Sequence, residues 1–550
     1  MFVQEYKRFP KTEIQAYLSS GWWVGLTIPQ VLERQARLTP EKTALVSGPS
    51  RWTYKQLLRG VRQAALAFAG LGFGEGNRVL LQLPNIAEFV LCYLGLQRIG
   101  AVPVLCLPRF ALREIDYFLD FSEAKSWITF PKSHGEHWDS LLTQIRNKHP
   151  DLEIITVGSP GTREFEALLE PIAGTDKNDQ KLAHYPPDAC SLCHLMPTGG
   201  TTGLPKLVPR THNDYLCNSR FRAVTTGRTA DDISLIATPI THNMAIEVSL
   251  LPSLWTGGTV VLLPSTSAGD ILETIEREGA TFTILVPAQL HDLVKHPDLE
   301  RIDLSSLRAL SGAGDRLAPE LITQIHKRIG RPFVHVFGMS EGPCTNTKLS
   351  DPLDLVRNTV GFPICPGDEF RVVDEEGNPV YPGKDGELVA RGPGVFRGYF
   401  KAETINRDSF LPGNYFRTGD LARIDADGRI TLTGRRKDVI FRGGEKISAA
   451  LIEHYLSALP EIARAAVVGI PDPRLGERIC AFIEPASGQV PTPERIAQFF
   501  KSEGISVMLC PERVEVVQAF PLTAVGKLDR NRLREMALNL LTEEQISSGR

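Results

Sequence analysis

Residues 198–206 read T-G-G-T-T-G-L-P-K. Glycines let a backbone approach a phosphate closely, and threonine hydroxyls beside a lysine ammonium supply donors and positive charge. The spacing is not that of a P-loop, because Leu204 and Pro205 separate Gly203 from Lys206 and no Ser or Thr follows the lysine. Taken alone, the stretch is either a phosphate cradle or a Gly/Thr-rich surface turn. Five further stretches carry chemically useful side chains on turns: F-G-M-S-E-G (337–342), Y-F-R-T-G-D (415–420), G-R-R-K-D (434–438), R-G-G-E-K-I (442–447) and P-L-T-A-V-G-K-L-D-R (521–530). A sixth pattern points elsewhere. C-S-L-C-H at 190–194 matches the haem-attachment spacing, but the run is apolar and reads as a buried strand entering the glycine loop, which argues for coincidence.

Bulk properties narrow the classes. With 42% hydrophobic and 23% charged residues and a net charge of -3, the 550-residue chain has the composition of a globular protein with several subdomains. Any anion site must be local, and nothing suggests a nucleic-acid partner. The start, M-F-V-Q-E-Y-K-R-F-P, lacks the apolar core of a signal peptide. The longest apolar run, 86–102, is interrupted by Glu88 and Arg98 and falls short of the roughly 18 residues that a membrane span needs. Nine cysteines scattered singly argue against a disulfide framework and for a reducing compartment. The expectation is a soluble cytoplasmic protein with no membrane partner.

Strand and helix patterns alternate in front of the glycine loop. Helical spacing over Ile28–Leu38 and 53–70 and a largely apolar helix over 85–99 accompany strands at Thr43–Ser47, 78–83 and 102–106. The alternation resumes with strands at 234–237, 259–263, 282–286 and 333–337 and helices at 270–278 and Pro319–Ile329. This predicts a mostly parallel α/β architecture in two subdomains, with helices on both sheet faces. From about residue 358, short alternating strands between turns such as D-A-D-G-R predict a small β-barrel. Helices at 448–459 and 493–501 and strands at 465–470 and 479–485 then predict a smaller α+β domain. The division expected is 1–436 for the core and 437–550 for a mobile C-terminal domain.

In this order and spacing, the glycine loop and the five stretches resemble the core motifs of the adenylate-forming superfamily: acyl-CoA synthetases, luciferases and nonribosomal peptide synthetase adenylation domains. The resemblance spans essentially the whole chain. It implies joining of a carboxylate to the α-phosphorus of ATP with loss of pyrophosphate, so negative charge gathers in the transition state. Thr198, Gly199, Gly200, Thr201, Thr202 and Lys206 would then wrap the β- and γ-phosphates. Ser340 would offer a hydroxyl to the α-phosphate, Glu341 would hold Mg²⁺, and Phe337 would stack on adenine. Asp420 would accept the ribose hydroxyls, with Arg435 as a second ribose contact. Gly314 and Asp315 would form the turn beside the nucleotide, Asp315 standing where the family's G-G-A turn has alanine. Lys527 would bridge the carboxylate and the α-phosphate as electrostatic catalyst; its bland alternative is a solvated lysine. Lys437 occupies the hinge position about which the C-terminal domain rotates, which would remove Lys527 and bring the 442–447 loop to the site for thioester formation.

Within the superfamily, Y-L-S-S-G-W-W-V-G and T-G-L-P-K-L-V-P-R-T-H-N-D-Y look like the stand-alone aryl-acid ligases of siderophore assembly. These activate 2,3-dihydroxybenzoate or salicylate and load a separate aryl carrier protein through its phosphopantetheine thiol. The pair His242-Asn243 matches that class, and Asn243 would hydrogen-bond the 2-hydroxyl; a packed histidine and a turn asparagine are the alternatives. Val248 stands where dihydroxybenzoate enzymes carry a small polar residue for the 3-hydroxyl, which tilts the expectation towards salicylate or an apolar-substituted ring. Met244 replaces the usual aromatic. Gly314, Gly338 and Cys344 would complete the substrate pocket, Cys344 as its far wall. Glu247 either points to solvent or recognises an amino or ring-nitrogen substituent. The alternatives are an acyl- or aryl-CoA ligase of the same fold, and an inactive homologue acting as a binding module.

Overall fold

The computed structural model describes residues 5–158, 163–169, 181–198, 205–314, 317, 319–435, 439–486, 490–521 and 530–547. Among these residues the strands form four sheets. The first runs, edge to edge, Arg163–Glu164, Glu153–Thr156, Ser126–Thr129, Arg78–Gln82, Val102–Leu105, Leu192–Thr198, Lys206–Thr211. Its strands pair parallel except for the last two, which form the hairpin that carries the glycine loop. Val79, Leu80 and Leu81 are successive and fully buried, as a parallel strand covered on both faces requires.

The second sheet runs Phe362–Pro363, Cys344–Asn346, Phe333–Gly338, Ala309–Gly312, Phe282–Leu285, Ile233–Ile236, Thr259–Leu262, Thr43–Ser47, Ser50–Thr53. Thr43–Ser47 does not stay with the sheet of its sequence neighbours. It pairs parallel with Thr259–Leu262, Leu45 opposite Val260, so the two α/β subdomains interleave. Between the sheets, Ile28–Leu38, Tyr54–Gly70 and Ala87–Arg98 pack into one core that includes side chains from both sheets, such as Leu81 and Leu262. The helix Tyr54–Gly70 starts where its residues dictate: Thr53 accepts the Gln56 N–H, and the Gln56 side chain returns to the Thr53 N–H. A second apolar layer on the outer face of the second sheet comes from Ala268–Glu278, Pro287–Lys295 and Pro319–Ile329.

The β-rich region is an open half-barrel of five antiparallel strands rather than a closed one. The C-terminal domain has Glu445–Ser448, Val439–Arg442, Gly476–Pro485 and Ile462–Asp472 in that order, with Arg513–Val516 on Gly476–Pro485. The helices Ala449–Ser457 and Pro493–Ser502 cover one face, and Arg530–Ser547 contributes to a second cluster with Val468 and Phe482. Among the described residues no helix is long and apolar enough to cross a membrane.

Two helices near the site escape a periodicity reading. His212–Thr225 buries His212, Asn213, Asp214, Asn218, Ser219 and Arg222 along with Tyr215, Leu216, Cys217 and Ala223, so burial does not follow an apolar face. The helix that starts at Asn243 passes into a π turn over Ile246–Leu250, a local widening often found at functional sites.

Candidate active site

A cavity, open to solvent at its mouth, lies where the two α/β subdomains and the C-terminal domain meet. Its wall brings together seven of the expected residues, namely Thr198, His242, Asn243, Val248, Gly314, Gly338 and Ser340. Thr198 ends its strand directly opposite Lys206, so the hairpin fixes both ends of the glycine loop. Lys206 Nζ lies 4.4 Å from the Tyr399 ring centroid. Residues 199–202, Asp315, Lys437 and Lys527 lie outside the described residues, as does the side chain of Arg435.

The turn after Phe333–Gly338 carries Ser340 and Glu341 and is held from behind. Buried Arg210 pairs with Asp214 at 2.9 Å and donates to the carbonyls of Ser340 and Gly394, both at 2.8 Å. Gly342 has φ +112, and a Cβ there would overlap the Gly394 carbonyl, so only glycine lets the two turns meet. Glu341 is 5% exposed. Its Oε1 accepts the Tyr399 hydroxyl at 2.8 Å, while Oε2 is buried with no hydrogen-bond partner among the described residues. Burial, together with Glu341, holds the Tyr399 hydroxyl well above its ordinary pKa, so it stays a donor. A buried carboxylate oxygen without a partner is costly unless a cation or donor meets it, and a hard cation such as Mg²⁺ fits that donor set. Phe337 packs between the main core and the half-barrel, and Asp420 stands opposite Arg435 in strand register.

The inner end of the cavity is an apolar slot in which Met244 and Val248 pack with Ala313 and Val336. Asn243 lies on its wall, and its Oδ1 accepts the Tyr215 hydroxyl at 2.9 Å. That bond orients the amide and leaves its N–H₂ group as the half that can serve a ligand. His242 Nδ1 accepts the Met244 N–H at 3.3 Å, capping the short helix. Burial, opposed by Glu445 and aided by Arg109 and Lys446, lowers the imidazole pKa, so neutral His242 faces the C-terminal domain. Cys344 is not on the wall. It stands behind Gly338, 3.1 Å from where a Gly338 Cβ would lie, and its thiol reaches Glu247 Oε2 at 3.7 Å. Glu247 does not point to solvent; it is 2% exposed, pairs with Arg222 and lines the cavity.

The C-terminal domain supplies the other end. Gly444, Glu445, Lys446 and Ile447 line the cavity, and Glu445 pairs with Arg109. Gly314, at φ +99, faces Gly444 closely enough that a Cβ would lie 3.2 Å from the Gly444 Cα. The helix Leu112–Ser122 is the docking edge. Arg113 pairs with Glu503 and donates to its carbonyl at 3.1 Å, and Glu114 Oε1 accepts the Ser506 N–H at 3.3 Å. Sequence reasoning passed over Arg210, Tyr215, Arg222 and Tyr399. Arg210 and Tyr215 sit inside the quoted P-R-T-H-N-D-Y run, whose polar residues turn inward to orient the site.

Comparison with known proteins adds to this geometry. Residues 32–400 match the family of AMP-binding enzymes, and 451–527 match the AMP-binding enzyme C-terminal domain. The chain is 37% identical to the 2,3-dihydroxybenzoate-AMP ligase of Bacillus subtilis, over 97% of this chain and 98% of the relative. It is 36% identical to the salicyl-AMP ligase / salicyl-S-ArCP synthetase of Mycobacterium tuberculosis, over 96% and 93% of the two chains. The apo structure of Mycobacterium smegmatis MbtA superposes with a TM-score of 0.73 at 35% identity, covering 96% of this chain and 98% of that one. With the loop hairpin, the Ser340–Glu341 turn and the docked C-terminal domain assembled around one cavity, the chain belongs to the AMP-binding, adenylate-forming enzyme family.

Proposed function

We propose that the protein activates a 2-hydroxyaryl carboxylic acid with ATP and passes the acyl group to a phosphopantetheine thiol on a separate carrier protein. The observation that carries the reading is the Tyr215–Asn243 pair at the edge of an apolar slot. Tyr215 occupies the amide oxygen, so Asn243 offers N–H to an acceptor. A phenolic oxygen whose own hydrogen is turned to the neighbouring carboxylate is such an acceptor. The relatives named for salicyl and 2,3-dihydroxybenzoyl adenylates support this class.

In the first half-reaction a carboxylate oxygen attacks the α-phosphorus and pyrophosphate leaves. Thr198, the 199–202 loop and Lys206 hold the β- and γ-phosphates, and Ser340 donates to the α-phosphate. Asp420 and Arg435 hold the ribose, Phe337 stacks on adenine, and Gly314 and Asp315 contact the nucleotide. Lys527 neutralises charge that develops between carboxylate and phosphate. Mg²⁺ held by Glu341 would neutralise phosphate oxygens. Tyr399, through its hydrogen bond, keeps the Glu341 carboxylate turned to that task. In the second half-reaction the thiol sulfur attacks the acyl carbon and AMP leaves. For this, the core (1–436) and the C-terminal domain (437–550) turn about Lys437. The docked Gly444–Lys446 loop at the cavity supports a thioester-forming orientation.

The test is ATP–pyrophosphate exchange with salicylate, 2,3-dihydroxybenzoate, benzoate, a medium-chain fatty acid and amino acids. Strong exchange with 2-hydroxyaryl acids and weak exchange with benzoate is expected. Exchange only with fatty or amino acids would overturn the aryl reading. Product analysis with CoA or with a carrier protein separates the two acceptors.

A further inference from the structure

The floor of the aryl slot carries a feature that the activation of salicylate does not use. The π turn over Ile246–Leu250 puts Glu247 and apolar Val248 side by side on the cavity wall. Arg222, fully buried, reaches Glu247 through Nε and Nη2, and both contacts fall on Oε1, at 3.4 and 3.3 Å. Its remaining donor group is spent elsewhere: Nη1 donates to Asn346 Oδ1 at 2.7 Å and to the Thr345 carbonyl at 3.2 Å. Glu247 Oε2 therefore has the Cys344 thiol at 3.7 Å as its hydrogen-bond partner. Burial holds that thiol well above its ordinary pKa, so it remains S–H, a weak donor. A carboxylate oxygen so served retains accepting capacity, and a buried ion pair is an expensive way to floor an apolar slot unless it also does something.

Taking the aryl-acid reading above as its basis, we propose that Glu247 Oε2 accepts a hydrogen bond from the substrate. The acid activated is then a 2-hydroxyaryl acid that carries a second ring-borne donor: an amino group, a hydroxyl or a protonated ring nitrogen. Asn243 and Glu247 lie four residues apart, about one helical turn, so they read the same edge of the ring. Val248 cannot receive the donor, whereas its neighbour Glu247 on the same wall can. Glu247 is thus a specificity-determining residue, with Arg222 as the group that keeps its carboxylate in place.

The experiment compares kcat/KM in pyrophosphate exchange for salicylate, 2,3-dihydroxybenzoate, 3-aminosalicylate, 4-aminosalicylate and 3-hydroxypicolinate. It adds the methyl ether 2-hydroxy-3-methoxybenzoate. At least one donor-bearing acid is expected to exceed salicylate by about tenfold or more, the scale of a hydrogen bond to a charged acceptor. Where that acid is the diol, its methyl ether loses the advantage. Glu247→Gln, which keeps the shape and an acceptor for Arg222, is expected to cost the preferred acid about tenfold more than it costs salicylate. Salicylate equal to or better than every donor-bearing acid overturns the inference, as does Glu247→Gln lowering all acids by one common factor. Should the variant fail to fold, the wild-type ranking decides alone. Aryl exchange without a donor preference sinks this inference only; no aryl exchange at all sinks the aryl reading and this inference with it.

Discussion

Glu114 couples the docking of the C-terminal domain to pH, and Glu114→Gln isolates that coupling. The carboxyl is 3% exposed, with Oε2 accepting its own helix's Ala111 N–H at 3.0 Å and Oε1 accepting Ser506 N–H from the C-terminal domain at 3.3 Å. Arg113 is the nearest opposing charge, already engaged with Glu503, and Tyr455 and Cys106 face the carboxyl from the C-terminal domain and the first sheet. Burial pushes the Glu114 pKa from an ordinary 4.5 to about 7, against the pull of its N–H bonds and Arg113. The proton is bound more tightly in the docked, folded state than in the unfolded one. Support from this group is therefore complete below about pH 4.5 and lost as pH rises to about 7, beyond which the cost is constant. The gap between the two values is worth at most about 3 kcal/mol.

Glutamine keeps the acceptor for Ser506 and removes the buried charge. Against this stand the loss of a negative charge in the first turn of a helix, about 0.3–1 kcal/mol, and loss of the acceptor for the Ala111 N–H, about 1 kcal/mol, so removal of the burial cost wins by about 1–2 kcal/mol. Thermal unfolding followed from pH 5 to 8.5 reads the effect. The two proteins are expected to match near pH 5, and the variant to melt about 1 °C higher at pH 8 for a chain of this length. Parallel pH profiles, or a variant less stable at pH 8, would refute the account of Glu114.

Tyr215→Phe releases the Asn243 amide, and KM for salicylate should rise about three- to tenfold while weak exchange with benzoate is unchanged, as one buried neutral hydrogen bond predicts. Glu341→Gln should cut exchange by about 100-fold and raise the Mg²⁺ concentration needed for half-maximal rate, whereas Tyr399→Phe should move the same Mg²⁺ titration less. Gly444→Ala places a Cβ into Val286 at φ +87. It should slow thioester formation by about tenfold or more and leave pyrophosphate exchange within about threefold, because the clash arises only in the docked orientation.

How much of this could be read from the chain follows from where the signals live. Glycine, threonine and lysine at fixed spacing marked the glycine loop as a candidate phosphate cradle because loop chemistry depends on residue type at each position, and parallel strands such as 78–82 announced themselves as apolar runs. Sheet membership did not follow from order, since Thr43–Ser47 crosses to the far sheet through contacts some 200 residues away. Helix His212–Thr225 hid because its polar residues are buried and paired, which erases the amphipathic period. The same inward polarity conceals Arg210, Tyr215 and Arg222, which touch other site residues rather than advertise themselves. Cys344 was expected at the far wall, but its thiol stands behind Gly338 and reaches Glu247 instead.

On the proposed function, this cavity makes an acyl adenylate from a 2-hydroxyaryl acid. The most direct measurement is mass-spectrometric detection of the product formed from the protein, ATP, Mg²⁺ and salicylate with no thiol present. Salicyl-AMP bound to the enzyme in near-stoichiometric amount, with pyrophosphate released, is expected, as is its loss in Lys527→Ala. Release of pyrophosphate without any aryl-AMP, or equal adenylate formation from benzoate and salicylate, would contradict it.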